Sequence, residues 1–112
     1  MILHISGTDE WAADRERGEI HPDSLADVGF VHCSDPGSVH LPANLFYAGR
    51  TDLLLLVVDP TGLPVKWEPG EPEHPTGVWF PHVYGPIPVE SVVRVLDFAP
   101  GADGRFRPPN SI

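Results

Sequence analysis

Proline is the residue that most limits what this chain can form, because fourteen prolines are spread over its 112 residues. A proline inside a helix removes a backbone hydrogen bond and clashes with the preceding turn, so it kinks or ends the helix. Long helices are therefore excluded. The sequence predicts an α+β fold with a few short helices and a dominant sheet that is mixed but mostly antiparallel.

Several segments are apolar, or alternate between apolar and polar residues, and lie between turn residues, which is typical of β-strands. In chain order they are ILHIS, FVHCS, DLLLLVVD, LPVKWEP, VWFPHVYG and ESVVRVLDF. The run DLLLLVVD is apolar throughout its middle, as in a strand that is buried on both faces. We expect this strand at the centre of the sheet.

Other segments carry the end signals of short helices. They are TDEWAADRERG, HPDSLADVG and DPGSVHLPANLFYAG. Thr8 is the candidate N-cap of the first segment and Gly18 its stop, whereas Pro42 should interrupt the third. We predict one domain over residues 1–98, followed by a loose C-terminal tail, 99–112, which is rich in proline, glycine and charge.

The charge balance limits the partners. Sixteen acidic residues against seven basic ones give a formal charge of −9, a field that repels polyanions, so we expect no long nucleic acid as partner. Local cations such as Arg50 and Arg94 could still hold a small phosphorylated ligand. No apolar run approaches the roughly 18 residues of a membrane span, and the single cysteine, Cys33, cannot form an internal disulfide. The chain is therefore predicted to be cytoplasmic, with no membrane contact.

The six histidines fall into two groups. Three of them lie in loops or beside prolines, where an imidazole exposed to solvent needs no special explanation. They are His21, His40 and His74. The other three, His4, His32 and His82, are embedded in apolar strand segments, where a polar ring costs a few kcal/mol unless it is hydrogen-bonded or faces a cleft. Three such costs in one small domain predict a shared site.

Three kinds of site could use these side chains. A zinc site has the right ligand types, but the sequence lacks the close ligand pair of common zinc sites, so we expect no metal. A Cys33 nucleophile would need a distant base, because adjacent strand residues such as His32 point to the opposite face. The third is a cleft for a nucleotide-like molecule, with Ser34 as a hydrogen-bonding group and Tyr47, Tyr84 or Trp79 as stacking surfaces.

A family resemblance narrows these choices. The segments LHIS, GFVHCSDPGSVHLPANLFYAG, LLLLVVD, WE and FPHVYGPIPVESVV resemble an uncharacterised bacterial family, domain of unknown function nine-five-two, over about residues 2–98. That family is similar to the ADP-ribosyltransferases, which cleave NAD at the nicotinamide–ribose bond. The resemblance implies an ADP-ribosyltransferase-like domain, with NAD as a possible substrate and a protein as a possible acceptor.

The resemblance also implies roles for individual residues. His4, with Ser6 after it, matches the first-strand histidine that orients the nicotinamide ribose. His32 and Ser34 would hold the ribose or the nicotinamide, and Tyr47 matches an aromatic residue at the end of the following helix. With Tyr84, these residues form the predicted ligand-binding set.

The chain departs from the transferases at the catalytic acid. Their late-strand glutamate contacts the ribose hydroxyl, whereas the corresponding stretch here offers His82. Glu68 in the pair WE comes earlier in the chain and is the candidate acidic replacement. The predicted catalytic residues are therefore His82, Glu68 and His4. RNA 2′-phosphotransferases of the wider superfamily also lack this glutamate. The alternatives are a non-catalytic module that binds a ligand or a protein and, third, a zinc-dependent enzyme.

Overall fold

In the computed structural model, which describes residues 1–110, short strands and shorter helices alternate along the chain. The strands are β1 (Ile2–Gly7), β2 (Glu19–Ile20), β3 (Val31–His32), β4 (Leu53–Val58), β5 (Val65–Pro69), β6 (Trp79–Val83), β7 (Ile87–Pro88) and β8 (Val92–Asp97). The helices are α1 (Thr8–Arg17), α2 (Ser24–Val28) and α3 (His40–Phe46), with one 3₁₀ turn at Val89–Ser91. The predicted α+β class is confirmed. All strand pairs in this part of the chain are antiparallel, rather than mixed.

The sheet β1–β4–β8 has the apolar strand β4 at its centre, as predicted. All six residues of β4 are buried, because both faces of the sheet are covered. Alternate residues of β4 supply two apolar clusters: Leu56 packs toward Val83 and Ile87, whereas Leu55 packs toward Phe98 and Phe106. The continuous apolar run in the sequence thus reflects a strand that serves two cores.

A second sheet, β3–β6–β5, meets the edge of the first. The two sheets are joined at Leu3 and Ser34, whose backbone N–H and C=O groups form two reciprocal hydrogen bonds of 2.7 Å. Within the second sheet, His32 lies directly opposite His82. Side chains at directly opposite positions lie on the same face of a sheet, so this register brings the two imidazoles together.

The helices follow the predicted segments with two differences. Thr8 is the first residue of α1 and not its N-cap; Gly7 holds the N-cap position, and Gly18 ends the helix in a left-handed conformation, with φ 91°. Pro42 is the third residue of α3 and does not interrupt it. The first N–H groups of a helix have no intrahelical acceptor, so a proline in that turn breaks no hydrogen bond. No helix in the described part of the chain has the length and apolar character to cross a bilayer.

The segment after residue 98 differs from the predicted loose tail. Phe106 is only 2% exposed and packs against Phe98, with ring centroids 4.9 Å apart. The side chain of Asn44 on α3 donates to the Phe106 carbonyl at 3.0 Å and accepts from its N–H at 2.8 Å. Phe106 thus anchors the polar C-terminal segment to the rest of the domain. Residues 111–112 of the predicted tail lie outside the described residues.

We expect Phe106→Ala to lower the free energy of unfolding by about 3 kcal/mol, since truncating a buried phenylalanine removes apolar burial and leaves a cavity. Urea denaturation followed by tryptophan fluorescence measures the change. Val93→Ala is the control, because Val93 is 49% exposed and should lose little. Equal stability of the two variants would show that the tail does not dock.

Candidate functional site

A cavity of about 470 Å³ opens where β1 and the segment after β3 stop pairing. Its walls come from β1, β3, β6, α3 and the loop 70–78. The polar side chains that line it include four histidines, a serine and a tyrosine, namely His4, His32, His74, His82, Ser34 and Tyr47. All three strand histidines singled out in the sequence therefore border one cavity, together with two of the predicted ligand-binding residues. Their roles in binding or catalysis stay predictions.

His4 is fixed by the backbone of the neighbouring sheet. Its Nδ1 donates to the carbonyl oxygen of His32 at 2.8 Å. Because a carbonyl can only accept, Nδ1 carries the hydrogen and Nε2 of the neutral ring keeps its lone pair. Burial lowers the pKa of His4, and the bond to His32 offsets part of that effect. His4 is therefore set up as a neutral hydrogen-bond acceptor.

His82 is oriented by a carboxylate that is shared with a phenol. Its Nδ1 donates to Oε1 of Glu68 at 2.8 Å, and the Tyr84 hydroxyl donates to the same oxygen at 2.5 Å. Both bonds lower the pKa of Glu68, and the bond from Tyr84 has the larger effect. The bond to Glu68 raises the pKa of Tyr84. Glu68 is thus held as a carboxylate, and within residues 1–110 the ring of His82 is bonded only through Nδ1, not Nε2.

An aromatic residue that the sequence analysis missed supports both histidines. The Phe30 ring stacks on His82, with centroids 3.9 Å apart and planes 13° apart, and meets His32 edge-on at 4.9 Å. The His32 and His82 rings are 5.8 Å apart. Partial burial is the main cause that lowers the pKa of His32, and a positive charge on His82 is the second. The sequence does contain a signal for Phe30. Phe30, His32 and Ser34 occupy alternate positions along the strand segment, so their side chains lie on the same face.

The loop 70–78 also contributes lining residues that the sequence analysis left as an ordinary polar loop. The His74 ring lies 4.7 Å from the Phe80 ring and 6.0 Å from the Phe46 ring. A Cβ atom on Gly70 would come within 2.6 Å of Phe80, so only glycine allows this approach. Burial lowers the pKa of His74, and its buried Nδ1 has no partner in the described part of the chain. Glu71 and Glu73 border the cavity beside it.

Some predicted site residues lie outside the cavity wall. Ser6 is buried and its hydroxyl donates to the Gly7 carbonyl at 3.1 Å. Glu68 and Tyr84 reach the cavity only through His82. Trp79 is 53% exposed on β6. Each of these positions is fixed by hydrogen bonds or strand register that the local sequence does not specify.

The predicted cations also lie elsewhere. Arg50 forms ion pairs with Asp52 at 2.7 Å and with Glu10 at 3.5 Å, and its guanidinium carbon lies 5.7 Å from the Tyr47 ring centroid. Arg94 is on β8. Among residues 1–110, the cavity wall includes no lysine or arginine but three acidic residues, which are Asp23, Glu71 and Glu73. The cavity is therefore acidic at neutral pH.

Cys33 borders the cavity but is only 3% exposed and packs in an apolar cluster. Burial raises the pKa of its thiol to about 12, so the thiolate needed for nucleophilic attack is scarce. Cys33 fills space, as its burial indicates. Over residues 1–110, no three histidine, cysteine or acidic side chains converge closely enough to hold a metal ion.

Comparison with known proteins gives a family and a fold but no activity. The model of the family described as "Protein of unknown function (DUF952)" matches residues 5–95. The crystal structure of protein CC0527 from Caulobacter crescentus is 34% identical, with a TM-score of 0.80 over 95% of this chain and 92% of that one. The solution structure of CC0527 is 31% identical, with a TM-score of 0.78 over 95% and 90%. No curated protein matches the chain.

The histidines predict how stability changes with pH. Burial lowers the pKa of His4, His32 and His74 in the folded state, so the unfolded chain binds more protons below the ordinary value of 6.5. Acidification therefore favours unfolding. We expect the free energy of unfolding to fall as the pH drops through and below the ordinary histidine pKa of 6.5, and His4→Gln to flatten that fall. Urea titrations at several pH values measure it, with His21→Gln as the control. A His4→Gln curve parallel to that of the parent protein would contradict the assignment.

Proposed function

This chain belongs to the DUF952 family, whose description names no activity, and we propose that its cavity binds the nicotinamide–ribose end of NAD or a related nucleotide. The same cavity activates a ribose hydroxyl. The observation that carries the proposal is the hydrogen bond from His82 to Glu68, 2.8 Å long. It orients a base whose second nitrogen is free, at the wall of a ligand-sized cavity.

The size and lining of the cavity suit this end of the molecule. A volume of about 470 Å³ is within the range of small-molecule sites and smaller than an extended dinucleotide needs. Phe46, Tyr47 and Phe80 offer aromatic surfaces against which a nicotinamide ring can pack. His4 and Ser34 supply hydrogen-bonding groups for ribose hydroxyls.

The charges on the wall favour the ring over the phosphates. Asp23, Glu71 and Glu73 would repel a pyrophosphate, and no lysine or arginine among the described lining residues would offset them. The oxidised nicotinamide ring, in contrast, is cationic and is attracted by carboxylates. We therefore place the pyridinium ring inside the cavity and the pyrophosphate outside its mouth.

The chemistry follows from the free nitrogen of His82. Nε2 accepts a hydrogen bond from a ribose hydroxyl and draws its proton, so that the hydroxyl oxygen gains negative charge. This charge stabilises the oxocarbenium cation that forms as the bond between C1′ and nicotinamide breaks, with both bonding electrons leaving on neutral nicotinamide. Water or an acceptor hydroxyl then adds to C1′ and releases a proton. Glu68 balances the imidazolium charge while His82 holds the proton.

One observation favours the alternative of a non-catalytic binding module. Phe46 borders the cavity and is 55% exposed, and the adjacent Leu45 is 45% exposed. An exposed aromatic side chain at the cavity, next to a second exposed apolar residue of the same helix, suits the binding of a ligand or a protein without any chemistry. In that case His82 and Glu68 would bind a hydroxyl but would not transfer its proton.

Replacing His82 tests the catalytic proposal. We expect His82→Ala to lower the release of nicotinamide from NAD by on the order of 10²-fold. Glu68→Gln should lower it less, because the base and an acceptor for its Nδ1 remain and only the charge that balances the imidazolium is lost. Chromatography of the products measures release. His21→Ala is a matched control, because His21 forms a similar pair with Glu19, 2.9 Å long, outside the cavity. Full activity of a well-folded His82→Ala protein would remove His82 from the mechanism.

The charge of the ring tests the binding mode. NAD and its reduced form differ in ring charge, so we expect the oxidised form to bind about threefold to tenfold more tightly, as a partly screened carboxylate–cation contact would provide. Glu71→Gln combined with Glu73→Gln should reduce that preference. Isothermal titration calorimetry measures both affinities, with Glu16→Gln on α1 as the control. Equal binding of the two forms would place the ring elsewhere.

A further inference from the structure

A second concave surface lies beside β8, which is at the opposite edge of the β1–β4–β8 sheet from β1 and the histidine cavity. It is a groove of about 600 Å³ between this strand and the segment 98–110, and it shares no lining residue with the cavity. Three of the seven basic residues of the chain line it, namely Arg94, Arg105 and Arg107. In a chain with a formal charge of −9, this is a local concentration of positive charge.

The loop that carries two of these arginines is held in a defined shape. The Gly101 N–H donates to the Arg105 carbonyl at 2.9 Å, and the Gly104 N–H donates to the Gly101 carbonyl at 2.9 Å. Asp103 accepts from the Arg105 N–H at 3.1 Å and from the Arg107 guanidinium at 2.7 and 3.1 Å. The backbone of this loop and the Arg107 guanidinium are therefore positioned before any ligand arrives, which reduces the entropy cost of binding.

Phe106 anchors this loop. It lies between Arg105 and Arg107 and is buried, whereas both arginines are exposed. Arg94 pairs with Val57 in the sheet register, and Val57 packs in the same apolar cluster as Phe106. Arg94 is thus on the face of the sheet that is covered by the segment carrying Arg105 and Arg107.

The charges in the groove are only partly compensated. Arg107 is paired with Asp103, and Asp97 is the other acidic residue at the groove. Neither Arg94 nor Arg105 forms an ion pair with a carboxylate of residues 1–110. Clustered guanidinium groups repel each other unless an anion lies between them, and their planar donor forks match the oxygens of a phosphate.

We propose that the groove lined by Arg94, Arg105 and Arg107 is a second ligand site, which binds the phosphate group of a small molecule. Leu96, Phe98 and Pro108 give the groove an apolar part, against which the body of such a molecule can rest. The site is independent of the proposed function, since the histidine cavity is acidic and lies elsewhere. A long nucleic acid is not the ligand that we propose, because the formal charge of −9 on the chain repels a polyanion.

The test is a titration of the isotope-labelled full chain with inorganic pyrophosphate and, separately, with adenosine monophosphate at low ionic strength, followed by the backbone amide signals. We expect saturable shifts in the segment around Arg94 and in residues 98–110. Arg94→Gln combined with Arg105→Gln should weaken binding about tenfold, as loss of two charge-assisted contacts implies. Thermal unfolding confirms that the variant is folded.

The control removes the same charge at another place. Arg15→Gln combined with Arg17→Gln changes two exposed arginines of α1 and leaves the groove intact, so it should bind both probes as the parent protein does. Equal weakening in both double variants would show an unspecific charge effect and overturn the proposal. Shifts centred on the histidine cavity, or none at millimolar probe, would overturn it as well.

Discussion

The two backbone hydrogen bonds between Leu3 and Ser34 are the link on which the rest of the site depends. They join the two sheets at a single position, and the chains separate immediately beyond it. A carbonyl left unpaired at such a junction costs as much as a lost hydrogen bond, and the His4 side chain removes that cost by donating to the His32 carbonyl. The sheets can therefore part while the His32 carbonyl stays paired, and the space between them becomes the cavity. His4 is at once a structural donor at Nδ1 and a cavity-lining acceptor at Nε2.

The features that the sequence predicted are those determined by local pattern. A continuous apolar run can be accommodated only between two covered faces, so β4 was assigned correctly as the central strand. A histidine inside an apolar strand must be hydrogen-bonded or face a cleft. The rings of His4 and His82 are hydrogen-bonded, the His32 side chain is exposed instead of buried, and all three border the cavity. What failed depends on position along an element or on distant contacts. Pro42 was treated as a break because the start of α3 was placed too early, and the tail was treated as loose because the partners of Phe106 are far away in sequence.

The partner of His82 shows the same limit at the site itself. Glu68 and Tyr84 were each singled out, but nothing in their spacing predicts that one carboxylate oxygen accepts from both Tyr84 and His82. The contact arises from the register of β5 against β6, in which Glu68 lies opposite Phe80, next to His82 on the same face. A shift of one residue would turn Glu68 to the other face of the sheet. The strand pairing, which exists only in the folded chain, therefore decides whether His82 is oriented by Glu68.

His4 and His82 differ in the charge of the group that accepts their hydrogen bond. His4 donates to a neutral carbonyl, and burial lowers the pKa of the His4 ring. Positive charge on that ring is therefore poorly compensated. The acceptor of His82 is the Glu68 carboxylate, which compensates an imidazolium directly, and Tyr84 holds that carboxylate in its charged form. In the mechanism that we propose, Nε2 of His4 accepts a hydrogen bond from one ribose hydroxyl, and His82, whose charge Glu68 balances, draws the proton of the other hydroxyl. This division follows from the acceptor types alone, and it requires neither a metal nor a reactive Cys33.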